Sequence, residues 1–130
     1  MCFTKCNVIH TQIPIAMKVK EIADLLNAKV LCGEDKLEID LEYAFASDLM
    51  SDVLTTQTEG MVLLTGLANV QAIRTAEMSD IQCVVIVRNK NVSAEMIDLA
   101  SENGIVLVEC EASMFKASGL LYGNGLKPIF

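Results

Sequence analysis

Two cations, Arg88 and Lys90, follow the apolar run Cys83 to Val87, and a Thr65-Gly66 pair follows the apolar run Met61 to Leu64. Asn69 and Ser113 stand where further helices should open. A glycine beside a helix start lets an anion approach free backbone N–H groups, and the helix dipole favours negative charge there. Hydroxyl and amide side chains add donors, and Arg and Lys add charge. Thr65, Gly66, Asn69, Arg88, Lys90 and Ser113 are therefore the expected lining of a site for a small anionic ligand, a nucleotide or a phosphorylated metabolite. The same residues also read as helix caps and a solvated turn, because every strand-to-helix turn needs caps whatever the protein does. That plainer reading takes precedence.

Catalytic machinery is thin. His10 is the only histidine, so a His general base or a Ser-His-Asp triad is not expected. Neither a GxxxxGK[ST] phosphate loop nor a GxGxxG fingerprint occurs. Cys-x-x-Cys zinc pairs are missing too, and Cys2, Cys6 and His10, spaced by four, offer three ligands on a leader without periodicity. The expectation is no catalytic residue, no metal and no cofactor. An enzyme of phosphoryl or acyl chemistry ranks last, behind a regulatory or interaction module and a small-ligand sensor.

Charge and composition narrow the partners. Of 130 residues, 52% are hydrophobic, which suits one domain with a real core and excludes a disordered chain. The net charge of −7 argues against binding nucleic acid or anionic lipid. Between Val30 and Gly60 stand eight acids against one base, Lys36, which accounts for the whole of that charge. A solvated face explains them better than a cation site, since no Asx-x-Asx-Gly loop is present. No apolar stretch approaches the roughly 20 residues that cross a bilayer. With no secretory h-region, a cytoplasmic protein with five free thiols is expected, Cys32 and Cys83 buried and Cys110 partly exposed.

These residues need elements to position them. Val19, Ile22, Ala23 and Leu26 recur at helical spacing and predict a helix over 18–27, followed by a strand over 29–32. Leu37, Ile39, Leu41, Tyr43 and Phe45 alternate with polar or small residues, which predicts one half-buried strand with an acidic outer face. Ser47 or Asp48 would cap a helix to about residue 55. From Met61 the pattern is apolar strand, helix, apolar strand: strands over 61–65, 82–87 and 105–108, helices over 69–79, from Ser93 to Asn103-Gly104, and 113–122. The fold class is α/β, a mostly parallel sheet flanked by helices on both faces, with an N-terminal helix and an antiparallel edge strand. Residues 1–16 are expected to be an extension outside the core, with Met17 the functional start of a single domain over 17–130. Lys127-Pro128 would lie in a loose tail. Met78 on the helix over 69–79, with Met114, Phe115, Leu120, Leu121 and Tyr122 on the last helix, supplies more apolar surface than one face needs, so an exposed partner patch is expected.

The run from Ala46 to Leu126 resembles the DRTGG domain in its short stand-alone form, and Lys18 to Gly33 fits the start of that family. Thr65-Gly66, Arg74-Thr75-Ala76-Glu77-Met78, Ser113-Met114-Phe115 and Gly119-Leu120-Leu121-Tyr122 carry the resemblance. It implies an α/β domain related to the N-terminal domains of HPr kinase and Mur ligases. Such domains serve as regulatory or ligand-binding modules beside CBS or phosphotransacetylase domains, commonly dimeric, with no established chemistry of their own. A homodimer, with a protein partner or a small anionic ligand, is the expected assembly. Two signature turns depart from the family: Thr65-Gly66-Leu67-Ala68 stands where relatives carry Gly-Asp-Arg, and Arg88-Asn89-Lys90 where they carry Thr-Gly-Gly.

Overall fold

Apolar runs four or five residues long, each followed by turn residues, become the parallel strands of the sheet. The computed structural model describes residues 16–56, 59–88 and 90–130. In chain order the elements are β1 (Met17–Lys18), α1 (Val19–Leu25), β2 (Lys29–Cys32), a 3-10 turn (Glu34–Lys36), β3 (Asp40–Leu41) and β4 (Tyr43–Ala46). Then follow α2 (Met50–Val53), β5 (Met61–Thr65), α3 (Val70–Met78), β6 (Cys83–Ile86), α4 (Ala94–Glu102), β7 (Val106–Glu109), α5 (Met114–Gly123) and β8 (Lys127–Pro128). The main sheet runs β2-β7-β6-β5-β4-β8, with β1 and β3 forming a separate two-stranded ribbon. Every pairing in the main sheet is parallel except that of β2 with β7. The expected α/β class, with helices on both faces and an antiparallel edge strand, is what the chain adopts. The expected extension over 1–16 and the Cys2, Cys6, His10 group lie outside the described residues, Ala16 excepted.

Period-two alternation sorts each strand between two apolar layers. Val62, Leu64, Cys83, Val85, Val106 and Val108 pack under α1 and α5 with Ile22, Ala117 and Leu121. Met61, Leu63, Val84, Ile86 and Leu107 face the other way, against Val53, Ile73, Ala76, Met96 and Ala100 of α2, α3 and α4. Three helix starts, those of α3, α4 and α5, behave as their sequences dictate. Asn69, Ser93 and Ser113 each accept the backbone N–H three residues on, at 3.0, 3.2 and 3.1 Å.

Three expectations need correcting. The alternating stretch from Leu37 to Ala46 is not one strand. The N–H groups of Glu42 and Tyr43 both donate to the Gly60 carbonyl, at 2.8 and 3.0 Å, which separates β3 from β4. Across that break the apolar phase changes sides: Leu37, Ile39 and Leu41 join the layer under α1 and α5, whereas Tyr43 and Phe45 join the opposite layer. Lys127-Pro128 is not a loose tail but the edge strand β8, parallel to β4. Lys127 N–H donates to the Glu42 carbonyl at 2.9 Å, its ammonium lies 5.8 Å from the Tyr43 ring centre, and Phe130 meets Phe45 edge-on. Cys110, expected to be partly exposed, is buried at 3% because it continues β7 into the layer beneath α1 and α5.

The turn into the 3-10 segment depends on Gly33. Its φ is +90°, and a Cβ there would stand 2.8 Å from the Val106 Cα and Cγ2. Gly125 has φ +112° with nothing within 4 Å of such a Cβ. Gly125→Ala should therefore lose only the left-handed penalty, about 1–2 kcal/mol. Gly33→Ala adds a clash with strand backbone and should lose a further 1–3 kcal/mol or so. Urea midpoints of the two variants check the difference; equal losses would mean β7 yields freely.

Candidate functional site

Parallel strands place their following turns on one rim, where ligands of open α/β sheets collect. Here that rim carries Thr65 at the end of β5, Arg88 two residues past β6, and Glu109 at the end of β7. Thr65 is fully buried, and its hydroxyl accepts from Leu67 N–H at 3.1 Å. The hydroxyl proton goes to Asp48 Oδ1 at 3.0 Å, and the same oxygen accepts Gly66 N–H at 2.6 Å. The donors expected to cradle an external anion thus hold the protein's own carboxylate.

The sequence offers Asp48 as an alternative to Ser47 for a helix cap and as one of the solvated acids. Instead Leu49 occupies the N-cap position of α2, and Asp48 reaches the rim of β5. Ser47 Oγ accepts Leu49 N–H at 3.0 Å, turning the chain so that the next side chain can do so. No periodicity flags this residue; the available signal was an acid beside a serine, directly after a strand.

Arg88 completes the cluster. Its φ is +67°, a left-handed conformation that is strained for a side chain this size. The backbone is held there because Arg88 N–H donates to the Ala112 carbonyl at 2.8 Å. The exposed guanidinium then lies over Gly66: a Cβ on Gly66 would stand 3.1 Å from Arg88 Nη2 and 3.5 Å from Asp48 Oδ1. Gly66 leaves room for that close approach, and a side chain there would push the guanidinium outward by a few tenths of an ångström. The ion pairs found among the described residues are both made by Lys18, with Glu38 and Asp40, so the guanidinium has no carboxylate oxygen within 4.0 Å.

Of the six expected residues, the fold brings Thr65, Gly66 and Arg88 together. Asn69 and Ser113 are engaged as caps of α3 and α5. Ser113 lines a separate cleft of about 500 Å³ with Leu25, Leu26 and Lys116. Lys90 is half-buried beyond the turn. Three acids of the acid-rich stretch, Asp40, Glu42 and Glu59, lie toward the opposite end of the sheet, where they line a broad cleft of about 890 Å³ with Glu77, Asp80 and Lys36. Among the described residues, no three His, Cys, Asp or Glu side chains are grouped to hold a metal ion. No described helix is long and apolar enough to cross a membrane.

The described thiols are poor nucleophiles. Burial pushes Cys32 and Cys110 up from the ordinary thiol value and drives Cys83 up to about 12. A thiol whose folded value is raised stabilises the fold fully below its unfolded value near 9, and that contribution disappears as pH rises toward 12. Urea stability should fall across that window, and Cys83→Ala should flatten the fall. For the rim, Asp48→Ala strands the buried Gly66 N–H and Thr65 hydroxyl and should lose about 1–3 kcal/mol. Asp48→Asn keeps an acceptor and should lose less, again read by urea denaturation; equal losses would show that acceptance by Oδ1 is not what matters.

Comparison with known proteins agrees with this architecture. The sequence model of the DRTGG domain matches residues 21–122. No curated protein matches the chain. Among solved structures, similarity is found to the CBS and DRTGG domains of the regulatory region of Clostridium perfringens pyrophosphatase, complexed with its activator diadenosine tetraphosphate. That match has a TM-score of 0.69 at 16% identity, and it covers 95% of this chain but 58% of the other. At such identity it establishes the shared fold. With the family match over most of its length, the chain belongs to the DRTGG domain family.

Proposed function

We propose that this chain is a non-catalytic regulatory module of the cytoplasm that acts as a homodimer. The carrying observation is the carboxylate of Asp48 on Gly66 N–H and the Thr65 hydroxyl. Where an α/β enzyme of this topology would offer donors to a reacting oxyanion, the donors are already engaged. Two further facts support the reading. Burial keeps the described thiols protonated. The similar pyrophosphatase fragment is a regulatory region.

A second reading, a sensor of a small anion or nucleotide, rests on Arg88. A strained, exposed cation with no carboxylate partner among the described residues, beside Gly66 and with Lys90 two residues on, has charge to offer a phosphate. The pyrophosphatase fragment was complexed with a dinucleotide activator.

One set of measurements separates these readings. The purified chain is heated with diadenosine tetraphosphate or inorganic phosphate at millimolar concentration, and the nucleotide is then recovered. The module reading expects the nucleotide back intact; turnover that disappears in Arg88→Ala would overturn it. The sensor reading expects stabilisation by RT ln(1 + [L]/Kd), about 2.7 kcal/mol at a hundredfold excess over Kd, also lost in Arg88→Ala. No shift with either compound removes the sensor.

A further inference from the structure

Helix α5 is buried on one side and unexplained on the other. Ala117 and Leu121 are at most 1% exposed, packed with the layer that holds Val62 and Leu64. Phe115, Gly119, Tyr122 and Gly123 follow one another at i, i+4, i+7 and i+8, so they share the outer face. Phe115 is 90% exposed and Tyr122 70%, and Lys116 lies on the same side. Two large aromatics in water, two turns apart on one helix face, form an apolar surface of the kind that marks association.

Gly119 adds an independent signal. Mid-helix glycine weakens a helix relative to alanine. A Cβ on Gly119 or Gly123 would meet nothing within 4 Å, so nothing in the described fold requires either glycine. What glycine permits on an outer helix face is the close approach of another backbone. The surrounding charge admits a second copy of this acidic chain. Residues 112–130 contain no Asp or Glu and two Lys, in a chain of net charge −7. Two copies can therefore meet on this face without setting carboxylate against carboxylate.

We infer that α5 is the contact between two copies of this chain, packed antiparallel about a two-fold axis through Gly119; this rests on the homodimer reading above. The face is self-complementary about that point. Gly119 meets Gly119 of the second copy, Phe115 lies over its Gly123, and Lys116 comes beside its Tyr122 ring. Residue and counterpart exchange places across the axis, as a closed isologous contact requires. The Lys116–Tyr122 contact is of the same kind as that between Lys127 and Tyr43 within one copy.

The test uses the full chain with Cys2→Ser and Cys6→Ser, which leaves only the buried cysteines. Light scattering at tens of micromolar should give twice 14.1 kDa. Phe115→Glu and Gly119→Glu should each halve that mass with an unchanged circular dichroism spectrum, since both positions are open to solvent in one copy. Gly119→Cys should form an intermolecular disulfide under mild oxidation, because the axis brings the two Cα atoms within bridging range. Glu95→Cys on the outer side of α4 should not. A parent mass of 14.1 kDa overturns both the homodimer and this contact. A parent dimer that survives both Glu substitutions, or that cross-links equally through Glu95→Cys, overturns the α5 contact and leaves the homodimer standing.

Discussion

A parallel strand covered by helices on both faces has no place for a polar side chain along its length, because an unpartnered polar group there carries a desolvation penalty of several kcal/mol. β5 and β6 follow this rule: every residue from Met61 to Leu64 and from Cys83 to Ile86 is apolar and buried. Polar chemistry is thereby pushed to the strand ends, where Thr65, Arg88 and Glu109 stand. Thr65 is the exception that proves how strict the constraint is. It is fully buried, and its hydroxyl is satisfied twice, as donor to Asp48 and as acceptor from Leu67. The candidate site is thus a consequence of core burial rather than an addition to it.

Local rules made much of this fold legible. The caps at Asn69, Ser93 and Ser113 depend on residues three positions away, β2 ends where its apolar run ends, and β5 ends one residue past its own. The misses share a different cause. Asp48 reads as a cap because capping needs only neighbours, whereas its true partners lie 17 and 18 residues on and are delivered by the pairing of β4 with β5. The phase change at Glu42 leaves the alternation in the sequence intact, since a break that passes the chain from one ribbon to another sheet need not disturb the pattern. β8 has two residues, one of them a proline, too little for any strand signal, and exists because β4 offers an open edge.

The expected surplus of apolar surface on α5 was half right, and the structure divides it physically. Leu121 is buried and Met114 and Leu120 are packed against the same layer, so they are ordinary core. Phe115 and Tyr122 are not. Composition counts all five alike; only the rotation of the helix about its axis separates those that the fold uses from those that it leaves outside.

The rim and the outer face of α5 are joined by short chain. Arg88 N–H is bonded to the carbonyl of Ala112, and Ala112 precedes Ser113, whose hydroxyl caps α5. A displacement of Arg88 that broke the bond to Ala112 would act on the first turn of the helix with one peptide between them. That adjacency supplies a route but not a switch. A ligand drawn to the guanidinium would change the proposed association through α5 only by binding one arrangement of that turn better than another, by the differential affinity and no more. The left-handed backbone of Arg88 is where such a difference can arise. The strained Arg88 also carries the bond to Ala112, so an arrangement that relaxes it by turning its N–H away releases the residue in front of the α5 cap as well.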